Sequence, residues 1–255
     1  MLNTYKAIFS YDGSSYYGWQ KQPDQLTVQG SIEKVLQTLS KAGSAQVIGC
    51  GRTDAGVHAV NQVTKISLEQ NMEPCNLKRA LNSLLDKSIR CLAISRCSDD
   101  FQPVFDAKKK TYRYYFIMSE VMNPHYSLKM THIKKKLDID KMKRALPLFV
   151  GKKDFVNFST KGTPVKSTER EVYSFDLYKM EASDFLEREE NIYYFEISGN
   201  GFLKQMVRLI VSAIFSYGEG KIGADDINSF FLEQKTSKLA PTAPPDGLYL
   251  YDVTY

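Results

Sequence analysis

The order of elements read from apolar spacing constrains this chain more than any other feature, because one order returns twice. Tyr5, Ala7, Phe9 and Tyr11 alternate, and "YDGSSYYGWQ" breaks the alternation with a glycine and two serines, as a strand entering a loop does. Val28, Ile32, Val35, Leu36 and Leu39 then recur at helical spacing, with Thr27 as N-cap and Gly43 just past the end. "QVIGC" and "NQVTKISL" read as two strands, Leu77, Ala80, Leu81 and Leu84 as a second helical stripe, and "SIRCLAIS" as a further strand. The order is β-α-β-β-α-β.

From "TYRYYFIM" it starts again, with a strand, a helix through Met142, Ala145 and Phe149, strands at Val172–Met180 and Ile192–Ser198, and another helix. That last helix holds Leu203, Met206, Val207, Ile210, Val211 and Ile214 on one face, and "GLYLYDVTY" closes the series. The pattern predicts an α+β protein of two ferredoxin-like (RRM-like) halves, residues 1–104 and 105–255. Their mainly antiparallel sheets are expected to meet at a central cleft, with "SDDFQPVFDAKKK" as the connector.

A chain of 255 residues with 43% hydrophobic content and no biased tract can bury such cores. A net charge of +5 permits an anionic partner without establishing one. Cys50, Cys75, Cys91 and Cys97 form no C-x-x-C pair, and His58, His125 and His132 are scattered, so neither zinc nor a disulfide framework is expected. The N-terminus lacks the long apolar segment of a signal peptide, and no stretch reaches membrane-spanning length. These features predict a soluble protein of the reducing cytoplasm, with no membrane partner.

Charge is concentrated in "GCGRTDAGVHAV", Gly49–Val60, on the loop between two strands. Three glycines around Arg52 and Asp54 allow unusual backbone angles and the close approach of a ligand to a carboxylate held outward. The same residues also suit a plain strand-to-strand turn braced by an Arg–Asp ion pair. A phosphate cradle fits poorly, since no G-K-[ST] follows and Asp54 repels phosphate. No G-x-S-x-G marks a serine nucleophile.

"GRTDAGVHA", preceded by "YDGSSYYGWQ", resembles the tRNA pseudouridine synthase I (TruA-type) family. The resemblance continues in family order through "SIEKVLQTL", "TYRYYF", "GKKDFVNF", "GNGFLKQMVRLIV" and "PPDGLYLYDVTY". It implies an RNA uridine isomerase that acts on tRNA as a homodimer, with a catalytic aspartate and neither metal nor organic cofactor. Asp54 falls at the family's nucleophile position, and Arg52 at that of the arginine that displaces the target base. Tyr112, the first aromatic of "YRYYF", matches the tyrosine that stacks on the flipped uracil, and Arg208 the arginine that pairs with the catalytic aspartate.

These residue types suit the chemistry. A carboxylate can attack the sugar or the base, or take a proton. A cation beside a carboxylate in a cleft offsets the desolvation that favours the neutral acid, which gives Arg208 a task. Removing a base from its stack costs a few kcal/mol, and an aromatic platform returns roughly 1–3 kcal/mol per base, which suits Tyr112. On spacing alone Tyr112 is an ordinary strand aromatic and Arg208 a snorkelling helix residue. The Lys108–Lys110 run, Lys110 included, is placed to meet phosphates, whereas Lys134–Lys136 reads as a solvated loop and Phe202 and Met206 as core.

The chain departs from the family at "FQPVF", Phe101–Phe105, where members usually show F-H-A-R-F, and at Asp86, where a proline commonly follows the leucines. The core chemistry is untouched, but substrate choice is opened. The leading expectation is pseudouridine formation in the anticodon stem and loop of tRNA. The alternatives are the same reaction on another structured RNA and a non-catalytic RNA-binding protein, against which the joint presence of Asp54, Arg52, Tyr112 and Arg208 argues.

Overall fold

The alternation at the start becomes strand β1 (Asn3–Tyr11), whose Tyr5, Ala7, Phe9 and Tyr11 face the core and are at most 4% exposed. A computed structural model describes residues 2–40, 45–160, 166–180, 191–233 and 237–255, so the expected helix stop at Gly43 lies outside the described residues. Helix α1 (Val28–Leu39) begins where Thr27 predicts, the Thr27 hydroxyl accepting from the Gly30 N–H at 3.3 Å. Strands β2 (Ala45–Gly49) and β3 (His58–Leu68), helix α2 (Pro74–Leu84) and strand β4 (Ile89–Arg96) follow. β1 runs antiparallel to β3 on one side and β4 on the other, and β2 pairs antiparallel with β3. Along α2 the stripe holds at Leu77 and Leu81, but Leu84 is 53% exposed, because the helix ends there and Leu85 turns inward instead.

The chain divides into two compact units, Met1–Lys108 with Tyr249–Tyr255, and Lys109–Leu248. In the second unit β5 (Lys109–Met118) is joined by β6 (Thr131–Ile133), β7 (Gly151–Asp154), β8 (Glu169–Lys179) and β9 (Ile192–Gly199). β9 lies between β5 and β8, antiparallel to both, while β7 pairs antiparallel with β8 and β6 parallel with β5. Apolar spacing does not reveal β6 and β7, since three or four residues are too few to show a period.

The expected helix through Phe149 is shorter, α3 (Ile139–Ala145). Pro147 has no N–H with which to extend the ladder, and the chain tightens into a 3-10 turn at Leu146–Phe149. Helix α4 (Met206–Gly218) buries Met206, Val207, Leu209, Ile210, Val211, Ala213 and Ile214, so it is a core helix enclosed on most sides rather than a one-faced surface helix. Helix α5 (Ala224–Leu232) was not anticipated, although Asp225 and Asp226 in its first turn and Ile227 and Phe230 at helical spacing are its signal.

The closing strand, β10 (Leu248–Thr254), pairs in parallel with β3 at Tyr249 opposite His58 and Leu250 opposite Ala59. From Tyr249 onward it is therefore counted with the first unit, whereas a boundary drawn after residue 104 leaves it in the second half. Among the described residues no helix is long and apolar enough to cross a membrane.

Candidate active site

Asp54 and Arg52 sit on the loop joining β2 to β3. The Val57 N–H closes on the Asp54 carbonyl at 3.1 Å, and Gly56 takes a φ of +79° at the position where such a turn needs a left-handed residue. Thr53, between the two charged residues, is buried, with its hydroxyl 2.8 Å from the Tyr11 hydroxyl and its carbonyl accepting from the Trp19 N–H at 3.1 Å. The Gly56 N–H donates to the Tyr16 carbonyl at 3.2 Å. Arg52 is exposed and Asp54 half-buried. The loop backbone is thus tied down while its charged side chains face outward.

Glycines outside the motif make this possible. Gly18 has φ +87°, and a Cβ there would lie 2.5 Å from the Thr53 carbonyl oxygen, while one on Gly13 would lie 2.0 Å from that of Val57. The segment after β1 therefore packs backbone to backbone on the loop that carries Asp54, which no larger side chain permits. His58, 1% exposed, has Nδ1 3.1 Å from the Gly13 nitrogen and 3.2 Å from an Asp12 carboxylate oxygen, and its ring stacks on Tyr249 at 4.4 Å. Its place is that of an anchor for the loop's exit.

The second unit carries Tyr112, Lys110 and Arg208. Tyr112 stands on β5 opposite Ile197, 8% exposed, with the Phe202 ring edge-on at 5.2 Å. Phe202, expected in the core, is half-buried, and Met206 is fully buried. The lysine run is split at the start of β5, where Lys109 is exposed and Lys110 is buried. Lys134–Lys136 are all exposed.

Arg208, in the first turn of α4, donates through Nε to the Ala243 carbonyl at 2.8 Å, which ties the helix to the segment before β10. Nearby, burial pushes the Asp246 carboxyl up, with the Arg208 charge opposing that shift. Burial likewise pushes up the Tyr114 hydroxyl, which contacts Thr131 at 2.7 Å and donates to the Pro244 carbonyl at 2.9 Å. Gln205, just before α4, takes φ +61°, a left-handed conformation uncommon for a residue with a side chain.

At the family departure, the segment forms a closed turn. The Gln102 N–H donates to the Asp106 carboxylate at 2.8 Å, the Phe105 N–H to the Gln102 carbonyl at 3.1 Å, and the Tyr255 hydroxyl to the Pro103 carbonyl at 2.8 Å. Val104 is 43% exposed and Phe105 84%. Among the described residues no cluster of three or more His, Cys, Asp or Glu is placed to hold a metal ion.

Residues 7–106 and 145–255 match the family described as tRNA pseudouridine synthase. The chain belongs to that family. It is 37% identical over its full length, and that of the relative, to a tRNA pseudouridine synthase A of Listeria monocytogenes. It is 35% identical to a tRNA pseudouridine synthase A 1 of Protochlamydia amoebophila, covering 100% of this chain and 97% of that one. It is 36% identical to a tRNA pseudouridine synthase A of Thermodesulfovibrio yellowstonii, covering 98% of each.

In this pseudouridine synthase, then, the loop carries Asp54 and Arg52 together, and the second unit holds Tyr112 beside Phe202 and fixes Arg208 to Ala243. Reading the sequence missed Gly13, Gly18, His58 and Phe202. Only the two glycines left a signal, as breaks in "YDGSSYYGWQ". The others take their meaning from partners far along the chain.

Proposed function

We propose that this protein isomerises uridine to pseudouridine in the anticodon stem and loop of tRNA, working in the cytoplasm as a homodimer, each subunit two ferredoxin-like halves that bound a catalytic cleft. The observation that carries this reading is the half-buried Asp54 on a loop locked through Gly13 and Gly18, in a chain similar end to end to relatives named tRNA pseudouridine synthase A. The reaction breaks the bond from uracil N1 to ribose C1′, turns the base, and joins C5 to C1′. The C5 proton leaves and N1 gains one, so atoms balance and the conversion draws on no cofactor. Asp54 supplies the carboxylate that attacks or takes the proton. Arg52 displaces the base, Tyr112 stacks on it, Lys110 contacts RNA, and Arg208 keeps the carboxylate ionised.

The test is turnover on tRNA by purified protein with chelator present. Asp54→Asn is expected to abolish pseudouridine formation while leaving the melting temperature and RNA affinity near those of the unaltered protein. Turnover surviving in that variant overturns the assignment. A second reading, the same reaction on another structured RNA, is favoured by Gln102 and Val104, which replace basic-capable positions of the family. Mapping pseudouridine in total RNA with and without the protein separates the two.

A further inference from the structure

Gln62 lies on β3, away from the motif, and is fully buried. Its Nε2 donates to the Gly51 carbonyl at 2.9 Å, and its Oε1 is 2.9 Å from the Cys50 thiol. The orientation of the amide follows from its neighbours. A carbonyl only accepts, so the nitrogen must face Gly51, and the thiol must then donate to the oxygen. Both ends of one buried side chain are thereby spent on the two residues that lead into Arg52, Thr53 and Asp54. Beside Cys50 lies Tyr255, whose hydroxyl donates to the Pro103 carbonyl at 2.8 Å.

Gly51 has no side chain to fix its conformation, and the Gln62 bond orients the peptide plane between Gly51 and Arg52. The next plane but one, between Thr53 and Asp54, is held by the Trp19 N–H. The peptide leading into Arg52 and the one leading into Asp54 are thus each pinned. We propose that Gln62 is a positioning residue for this reaction, setting the approach of the catalytic loop without touching the RNA, a proposal that rests on the reading of Asp54 and Arg52 given above.

Two substitutions test it, each followed by single-turnover kinetics on tRNA and by amide hydrogen exchange of residues 50–57. Gln62→Leu fills the space but offers no donor to Gly51. It is expected to lower kcat about 10–100-fold with KM little changed, as misplacement of a reacting group does, and to speed exchange in the loop. Gln62→Glu is isosteric and donates only when protonated, which burial favours. The titratable groups beside it are the Cys50 thiol and, beyond that, Tyr255. Its kcat is expected near that of the unaltered protein at mildly acid pH and to fall as pH rises, with exchange rising in step.

A role in packing alone predicts the reverse ranking, with the apolar variant the better one at every pH. Gln62→Leu keeping both kcat and loop exchange within about twofold of the unaltered protein overturns the proposal. Exchange is read without turnover. An unaltered protein that fails to form pseudouridine therefore counts against the reading of Asp54, while loop exchange still judges Gln62.

Discussion

Gly18 shows how a residue with no functional group controls one that has. Its φ of +87° and the 2.5 Å approach of its missing Cβ to the Thr53 carbonyl make two separate demands that only glycine meets. Gly18→Ala is expected to destabilise the protein by about 2 kcal/mol or more, because the clash is with backbone and no flexible side chain can yield. It is also expected to slow turnover more than it weakens RNA binding, since the displaced group is the peptide that carries Asp54. Urea denaturation with single-turnover kinetics checks this, and an unchanged midpoint with unchanged rate counts against the loop's dependence on that contact. The same logic explains what could be read in advance. Asp54 and Arg52 are local in "GRTDAGVHA", whereas His58, read as part of the motif's loop, and Gln62, in the strand after it, take their places only when Gly13, Tyr249, Gly51 and Cys50 are folded around them.

At the scale of elements, α1 and β1 were legible because long apolar periods leave little choice of face, while α4 was legible as a helix but not as one enclosed on most sides. The misreadings have local causes: Pro147 cuts α3 short, α2 ends at Leu84 and leaves it exposed, and β6 and β7 are too brief to show a pattern. α4 is buried nearly all round and so holds Arg208 rigidly. Arg208→Met keeps the apolar stem but loses the Nε bond to Ala243, at a stability cost of about 1 kcal/mol. The variant is expected to lose single-turnover rate at saturating tRNA while binding tRNA almost normally. A loss confined to affinity makes Arg208 a phosphate contact instead.

The molecule as a whole carries only +5, so RNA affinity depends on where its cations lie rather than on their sum. At Gln102–Phe105 a closed turn presents Val104 and Phe105 to solvent beside the Asp106 carboxylate, with no cation in the turn itself. Binding to an isolated anticodon stem-loop is expected to be weaker than to whole tRNA, where distant contacts compensate. Val104→Arg is expected to raise affinity for the stem-loop and to steepen its salt dependence by about one phosphate contact. Tight stem-loop binding by the unaltered protein, indifferent to that substitution, shows the departure to be harmless. The return of β10 to β3 has a consequence in biosynthesis. The entire second unit is strung between His58 and the Tyr249 ring that stacks on it. A nascent chain leaving the ribosome N-terminus first already holds Arg52, Thr53 and Asp54, yet cannot seat that ring until the second unit and Tyr249 have emerged. The anchor at the exit of the Asp54 loop is thus completed only after the whole second unit has been made.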